Sequence, residues 1–183
     1  MKTEDLSFKA IQKTGVNVKE CYQCGKCTAG CPVAEHMDLR PSTIMRMLQV
    51  GDIASEDEIL RSNSIWLCLS CETCYSRCPM ELDIPKVIDW LRGKSYIEGK
   101  VHQGSRDIVS FHKSFLNSIE QNGRLHEMGL VLDYKIHSGN LFQDITLAPE
   151  MFYKGKLHLL PERIKDRKGF ARLFKDQFKK RKS

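Results

Sequence analysis

A mainly α-helical fold, built as a duplicated unit of cysteine loop plus helix, is what this sequence predicts. Three observations carry that expectation. Apolar residues recur at helical spacing through most of the chain, whereas no turn dipeptide separates two alternating apolar runs in the manner of a β-hairpin. Two stretches, "CYQCGKCTAGCP" at 21–32 and "CLSCETCYSRCP" at 68–79, both read C-x2-C-x2-C-x3-C-P and together use all eight cysteines. Each is followed by a helix opened by a proline, Pro41 in one half and Pro85 in the other, as expected of an internal duplication with a pseudo-twofold core.

The elements follow in order. A first helix is expected from Glu4 to about Thr14, with Thr3 as N-cap and Gly15 as its stop. After the first cysteine run, "PSTIMRMLQVG" gives a helix from Pro41 with Ile44, Met45 and Leu48 on one face and Gly51 at its end. In "SEDE", Ser55 and Glu58 have capping-box spacing and predict the start of a third helix. Beyond the second run, Pro85 opens a helix carrying Val87, Ile88, Trp90 and Leu91 and ending at Gly93. Ser105 begins another, with Ile108, Phe111, Phe115, Leu116 and Ile119 in register and a stop at Asn122 and Gly123; a further helical stretch spans about 125–134. Residues 137–161 are weakly patterned and read as loop. The expected domains are therefore 1–98 for the cysteine core, 99–136 for a helical extension, and 137–183 for loop and basic tail.

Composition narrows the function. At 183 residues the chain can bury a core without covalent staples. Its first ten residues lack the apolar stretch of a signal peptide, which predicts a reducing, cytoplasmic setting in which disulfides are rare. The longest apolar run, "IWLCL", is far short of the roughly 20 residues that cross a bilayer. Of the formal charge of +6, residues 164–183 supply nine Lys/Arg against Asp166 and Asp176, a local +7. There Phe170, Leu173, Phe174 and Phe178 share one helical face, a pattern that suits docking on a partner, against the plain alternative of a solvated terminus.

The cysteine spacing carries the chemistry. Three thiols spaced two residues apart wrap one corner of a cubane, while the three-residue spacer and proline carry the fourth away, so in two-cluster proteins the fourth cysteine serves the other cluster. The expected ligand sets are Cys21, Cys24, Cys27 and Cys78 for one [4Fe-4S] cluster, and Cys68, Cys71, Cys74 and Cys31 for a second [4Fe-4S] cluster. The alternative, in which each run encloses its own cluster, has the same composition and stays open here. Zinc sites use two thiols, a spacer and two more, which fits this pattern poorly. Gly25 and Gly30 allow close backbone approach, and Lys26 and Arg77 are placed to offset cluster charge, unless they are simple surface cations. Trp66 and Trp90 read as core aromatics. No dinucleotide or phosphate-binding glycine motif occurs, the six histidines lack metalloprotease spacing, and no thiol is left over as a nucleophile, so no catalytic residue is expected.

These residues carry a resemblance. The two cysteine runs, with helices between them, resemble the alpha-helical ferredoxin domain of iron–sulfur subunits in succinate dehydrogenase-like and anaerobic glycerol-phosphate dehydrogenase-like enzymes. Together with "FHKSFLNSIEQNGRLHEMGL" and "LLPERIKDR", they make the chain similar to the family of C subunits of soluble CoB-CoM heterodisulfide reductase in methanogenic archaea. The resemblance implies an electron-transfer, non-catalytic subunit of an oxidoreductase complex active in methanogenesis. It would relay electrons from the flavin-containing A subunit to the catalytic B subunit, whose CCG motifs reduce the CoM-S-S-CoB heterodisulfide, in a larger complex with a hydrogenase or formate dehydrogenase. No Cys-Cys pair occurs here, so CCG chemistry would lie on another polypeptide. Two other readings stand beside it: the equivalent subunit of another dehydrogenase, and a non-redox binding module stapled by metal.

Overall fold

The computed structural model describes residues 6–139, 150, 153–154, 164–166 and 169–173. Among them every regular element is a helix. The chain divides between Ser105 and Arg106 into two compact units, seven residues beyond the boundary at 98 expected from the sequence.

In the first unit, α1 (Leu6–Thr14) ends at Gly15, whose φ of 74° reverses the chain. A 3-10 turn, Val18–Glu20, leads into the first cysteine run, which contains the single-turn helix α2 (Lys26–Ala29). A second 3-10 turn, Ala34–His36, precedes α3 (Pro41–Val50), which starts on Pro41 and closes on left-handed Gly51. The second half repeats the plan with α4 (Ile53–Arg61), α5 (Ser64–Leu67), α6 (Thr73–Ser76) in the second cysteine run, and α7 (Ile84–Ile97).

The duplication keeps a constant offset. Cys68 follows Cys21 by 68 − 21 = 47 residues, and the same step carries α1 onto α4, α2 onto α6, and the last residue of α3 onto the last of α7. Packing obeys the same exchange: α3 lies on α4 as α7 lies on α1, α1 on α3 as α4 on α7, and α2 meets α6 across the centre. Ile44, Met45 and Leu48 of α3, Ile59 and Leu60 of α4, and Ile84, Ile88 and Leu91 of α7 form the buried core between the halves. Burial of this apolar face holds the short helices in place; four-residue helices such as α2 and α6 could not persist alone.

Two expected helix ends are corrected. The N-cap of α4 is Asp52, whose carboxylate accepts the Ser55 N–H at 2.5 Å, so Ser55 lies inside the helix as a donor. Helix α7 does not stop at Gly93 but runs one further turn to Ile97. Tertiary contacts outweigh the roughly 1 kcal/mol that glycine costs within a helix. Ser95 is fully buried and donates to the Leu60 carbonyl at 2.7 Å, and Lys94 pairs with Glu56 of α4 at 3.0 Å and with Glu98.

The second unit contains α8 (Arg106–Asn122), ended by Gly123 at φ 75°, and α9 (Glu127–Ser138), which starts two residues later and ends four later than the stretch expected from the sequence. They pack on each other, with Phe111 edge-on to Tyr134 at 5.9 Å and the Ser118 hydroxyl accepting the His126 N–H at 3.0 Å. The residues of α8 that are buried are Val109, Ser114 and Ser118, whereas Phe111 and Leu116 of the expected apolar face are exposed. Most of 137–161, and Phe174 and Phe178 of the tail, lie outside the described residues. Residues 169–173 are helical, with Phe170 half-buried and Leu173 exposed.

Candidate metal centre

Each cysteine loop is shaped by two residues in the left-handed region. In the first run these are Gln23 (φ 60°) and Gly25 (φ 76°); in the second, Ser70 (φ 51°) and Glu72 (φ 59°). The pairs stand at the same two positions, 23 + 47 = 70 and 25 + 47 = 72. Left-handed residues between successive cysteines curl the backbone so that three thiols line one hollow. Gly25 then caps α2 and Glu72 caps α6. Gly30, by contrast, has ordinary helical dihedrals; a Cβ there would come within 2.6 Å of the Arg77 side chain, so its smallness makes room for that guanidinium.

The eight thiols line two hollows. One is bounded by Cys21, Cys24, Cys27 and Cys78, with Lys26, Ser42 and Ile84 on its walls. The other is bounded by Cys31, Cys68, Cys71 and Cys74, with Pro41, Pro85 and Ile88. Each hollow thus takes three thiols from one run and the fourth from the other. The crossing arises because Cys31 and Cys78 follow α2 and α6, which meet at the centre of the unit, so each chain leaves its own loop beside its neighbour's.

Burial and hydrogen bonding set the state of the thiols. Burial pushes Cys27 and Cys68 up, and Cys74, half-buried and close to Cys68, is pushed up to about 12. Exposed Cys71 is held lower by its hydrogen bonds with the Thr73 hydroxyl, 3.4 Å away, and the Thr73 backbone. Buried thiols with raised values are protonated at neutral pH, so any metal they bind must displace their protons.

The carbonyls of the leading cysteines are anchored differently. Gln49 of α3 donates to the Cys21 carbonyl at 2.5 Å, and its amide also meets that of Gln23 at 3.0 Å. Arg92 of α7 donates to the carbonyls of Cys68 and Ile65, reaches Ser70 Oγ at 3.4 Å, and pairs with Asp89 at 2.9 Å. Neither Gln49 nor Arg92 was singled out from the sequence; both stand on amphipathic helices, where a polar residue beside the buried face ordinarily reads as surface. Of the expected cations, Lys26 lines the first hollow and Arg77 lies against Gly30; both are exposed. Trp66 is buried, with its indole N–H unpartnered, and Trp90 is half-buried.

The donor set fits a polynuclear iron–sulfur group. Zinc would need four ligands about 2.3 Å from one point, and among the described residues no group of three or more His, Cys, Asp or Glu side chains is gathered for a single ion. Four soft thiols around each hollow, with no oxygen or imidazole ligand among them, instead suit an iron–sulfur cluster that carries its own sulfides. Among the described residues no helix is long and apolar enough to cross a membrane.

Comparison with known proteins agrees with the geometry. Residues 17–82 match the 4Fe-4S dicluster domain family. The chain is 32% identical over 112 residues to the C2 iron-sulfur subunit of the CoB–CoM heterodisulfide reductase of Methanocaldococcus jannaschii, covering 61% of this chain and 58% of that protein. It is likewise 32% identical to the iron-sulfur C subunit of the CoB–CoM heterodisulfide reductase of Methanopyrus kandleri, covering 62% and 57%. With the C subunit of the H(2):CoB-CoM heterodisulfide,ferredoxin reductase of Methanothermobacter thermautotrophicus it shares 30% identity, covering 59% and 57%. The chain spans somewhat under three fifths of the length of these curated relatives. Residues 17–82 are thus similar to the 4Fe-4S dicluster domain, and the chain is similar to the iron–sulfur C subunits of the heterodisulfide reductases of methanogens.

Proposed function

We propose that this chain is the electron-transfer subunit of a heterodisulfide reductase, relaying electrons through two [4Fe-4S] clusters from the flavin-containing A subunit to the catalytic B subunit, which reduces CoM-S-S-CoB. Cys21, Cys24, Cys27 and Cys78 hold one cluster; Cys68, Cys71, Cys74 and Cys31 hold the other. The observation that carries the reading is the pair of adjoining hollows, each lined by three thiols of one run and the fourth of its partner. When bound, each cluster accepts and returns one electron. The protein's part is to hold the two close together, orient the thiolates through the left-handed loops, and limit water on the inner walls with Leu82, Ile84 and Ile88. Exposed Cys24 and Cys71 leave one edge of each site near the surface, where electrons can enter and leave.

Anaerobically prepared protein should hold about eight iron and eight sulfide per chain. In EPR spectra of the reduced protein, Cys78→Ser should perturb the same cluster as Cys24→Ser, and Cys31→Ser the same one as Cys71→Ser. If Cys78→Ser instead alters the Cys71-dependent signal, each run encloses its own cluster; stoichiometric zinc without sulfide would overturn the reading altogether. Anaerobic co-purification with a CCG-containing partner tests the assignment to heterodisulfide reductase.

A further inference from the structure

The two loops are near copies in backbone, but not in what touches them. The Cys21 carbonyl and the Cys68 carbonyl stand at equivalent positions, and each receives one side-chain donor from the long helix of its own half. In the first loop that donor is the neutral amide of Gln49; in the second it is the guanidinium of Arg92. The donors do not occupy equivalent positions. Arg92 corresponds to Met45, which is fully buried, and Gln49 corresponds to Tyr96, which is half exposed. The duplication has thus kept the contact while exchanging its charge.

We propose that Arg92 makes the cluster held by Cys31, Cys68, Cys71 and Cys74 the more readily reduced of the two, so that an electron entering this chain settles there. Uptake of one electron adds one negative charge to a cluster without forming a bond or moving a proton, the donor being oxidised by one electron. A fixed cation nearby stabilises that added charge, and a cationic hydrogen bond to a ligand's carbonyl withdraws density from the ligand. Arg92 is well placed for both. Its side chain is only 17% exposed, and three of its donor contacts lie on the segment from Ile65 to Ser70, which leads into and through the cluster loop.

Other charges near the sites are weaker levers. Lys26 at the first hollow and Glu72 in the second loop oppose the effect, but both are exposed. A unit charge at a given distance counts about fourfold more at the effective dielectric of a partly buried site than in bulk water, so Arg92 prevails. Arg77 stands between Gly30 and Cys78, next in sequence to a thiol of the first site and beside the loop that ends in Cys31, so it biases neither. Asp89 offsets part of the Arg92 charge, but it is 60% exposed and solvated.

The inference rests on the two-cluster reading above, and potentiometric reduction followed by EPR on the full, cluster-loaded chain tests it separately. Dithionite serves as the one-electron donor, and Cys24→Ser and Cys71→Ser mark which signal belongs to which site. In the unaltered protein the Cys71-dependent cluster should be the first reduced. Arg92→Gln, which gives the second loop the kind of anchor the first already has, should lower its reduction equilibrium constant about tenfold, or about 59 mV for one electron, and move the other cluster much less. Asp89→Asn, which removes only the exposed counter-charge, should shift the same cluster about twofold the opposite way. Equal shifts in both clusters, no shift in either variant, or a first cluster that is reduced before the second would overturn the proposal. If Arg92→Gln fails to retain its cluster, Asp89→Asn decides the matter by itself. Failure of the two-cluster reading would be seen earlier, in iron and sulfide content or in signals that group Cys78 with Cys71.

Discussion

Gln23, Gly25, Ser70 and Glu72 set the geometry of this protein one residue at a time. Only one of the four is glycine, yet all occupy the left-handed region, which costs an ordinary L-residue about 1–2 kcal/mol. Such strain persists where the surrounding structure over-determines it, and here it turns thiols inward. The two halves offer a paired test. A Cβ at Gly25 would meet nothing within 4 Å, so Gly25→Ala should lower stability by about 1 kcal/mol through backbone conformation alone. Glu72→Gly, at the equivalent position, should leave the thermal midpoint of the loaded protein unchanged or raise it. Midpoints measured at one scan rate check both; a drop in Glu72→Gly as large as that in Gly25→Ala would deny any strain at position 72.

At the scale of elements, Asp38 joins the two halves. Its carboxylate accepts the N–H groups of Asn63 and Ser64 at 2.9 Å each and the Ser64 hydroxyl, capping α5 just ahead of Cys68. Burial works to raise the carboxyl, but these hydrogen bonds outweigh it and hold Asp38 below its usual value. A depressed value means that the contribution to stability is complete above the unfolded-state value near 4 and is lost as pH falls through the lower folded-state value. Asp38→Ala should therefore cost about 1–2 kcal/mol at neutral pH. Asp38→Asn should lose less, and the deficit should shrink below about pH 4, as followed by denaturant unfolding across pH. The last turn of α7 behaves similarly: Lys94, Glu56, Glu98, Lys100 and Asp57 form one network tying it to α4, so Lys94→Ala should fray α7 beyond Gly93 and speed amide exchange there.

On the scale of the whole molecule, the proposed crossed ligation would make the clusters part of the fold. A cluster joining Cys21 to Cys78 closes a loop of 78 − 21 = 57 residues, and the second joins Cys31 to Cys68 within it. Closing such loops removes freedom from the unfolded chain, so iron removal should lower helicity and thermal stability together, as circular dichroism would record. A chelated protein with unchanged melting would contradict the crossing. The tail belongs to the same scale: truncation after Gly169 should weaken, at moderate salt, assembly with the proposed partner subunits while leaving iron content intact. Normal assembly by the truncated chain would make the tail a solvated terminus.

The cysteine spacing by itself determined the class of cofactor, because eight thiols at x2, x2 and x3 suit little else. The prolines and glycines at 15, 41, 51, 85 and 123 determined one or both ends of α1, α3, α7 and α8, since their backbone restrictions act locally. What only the tertiary structure decided is of another kind. Gly93 failed to end α7 because buried Ser95 and Lys94 reach partners on α4, Leu60 and Glu56, that lie 35 or more residues away in sequence, where local patterning does not register them. Ser55 lost its capping role to Asp52 through a choice between two good caps three residues apart, which spacing cannot rank. The left-handed turns at Gln23, Ser70 and Glu72 carry no local signal, because their side chains do not favour that conformation. Likewise, the most buried residues of α8 are Val109, Ser114 and Ser118, beside rather than on the face that the sequence marks as apolar, because packing selects the contact line and hydrophobicity alone does not. Arg92 and Gln49 are the clearest case: on their helices each reads as a solvated polar residue, and only the packing of each long helix beside its own cysteine loop turns one into a cationic and the other into a neutral anchor.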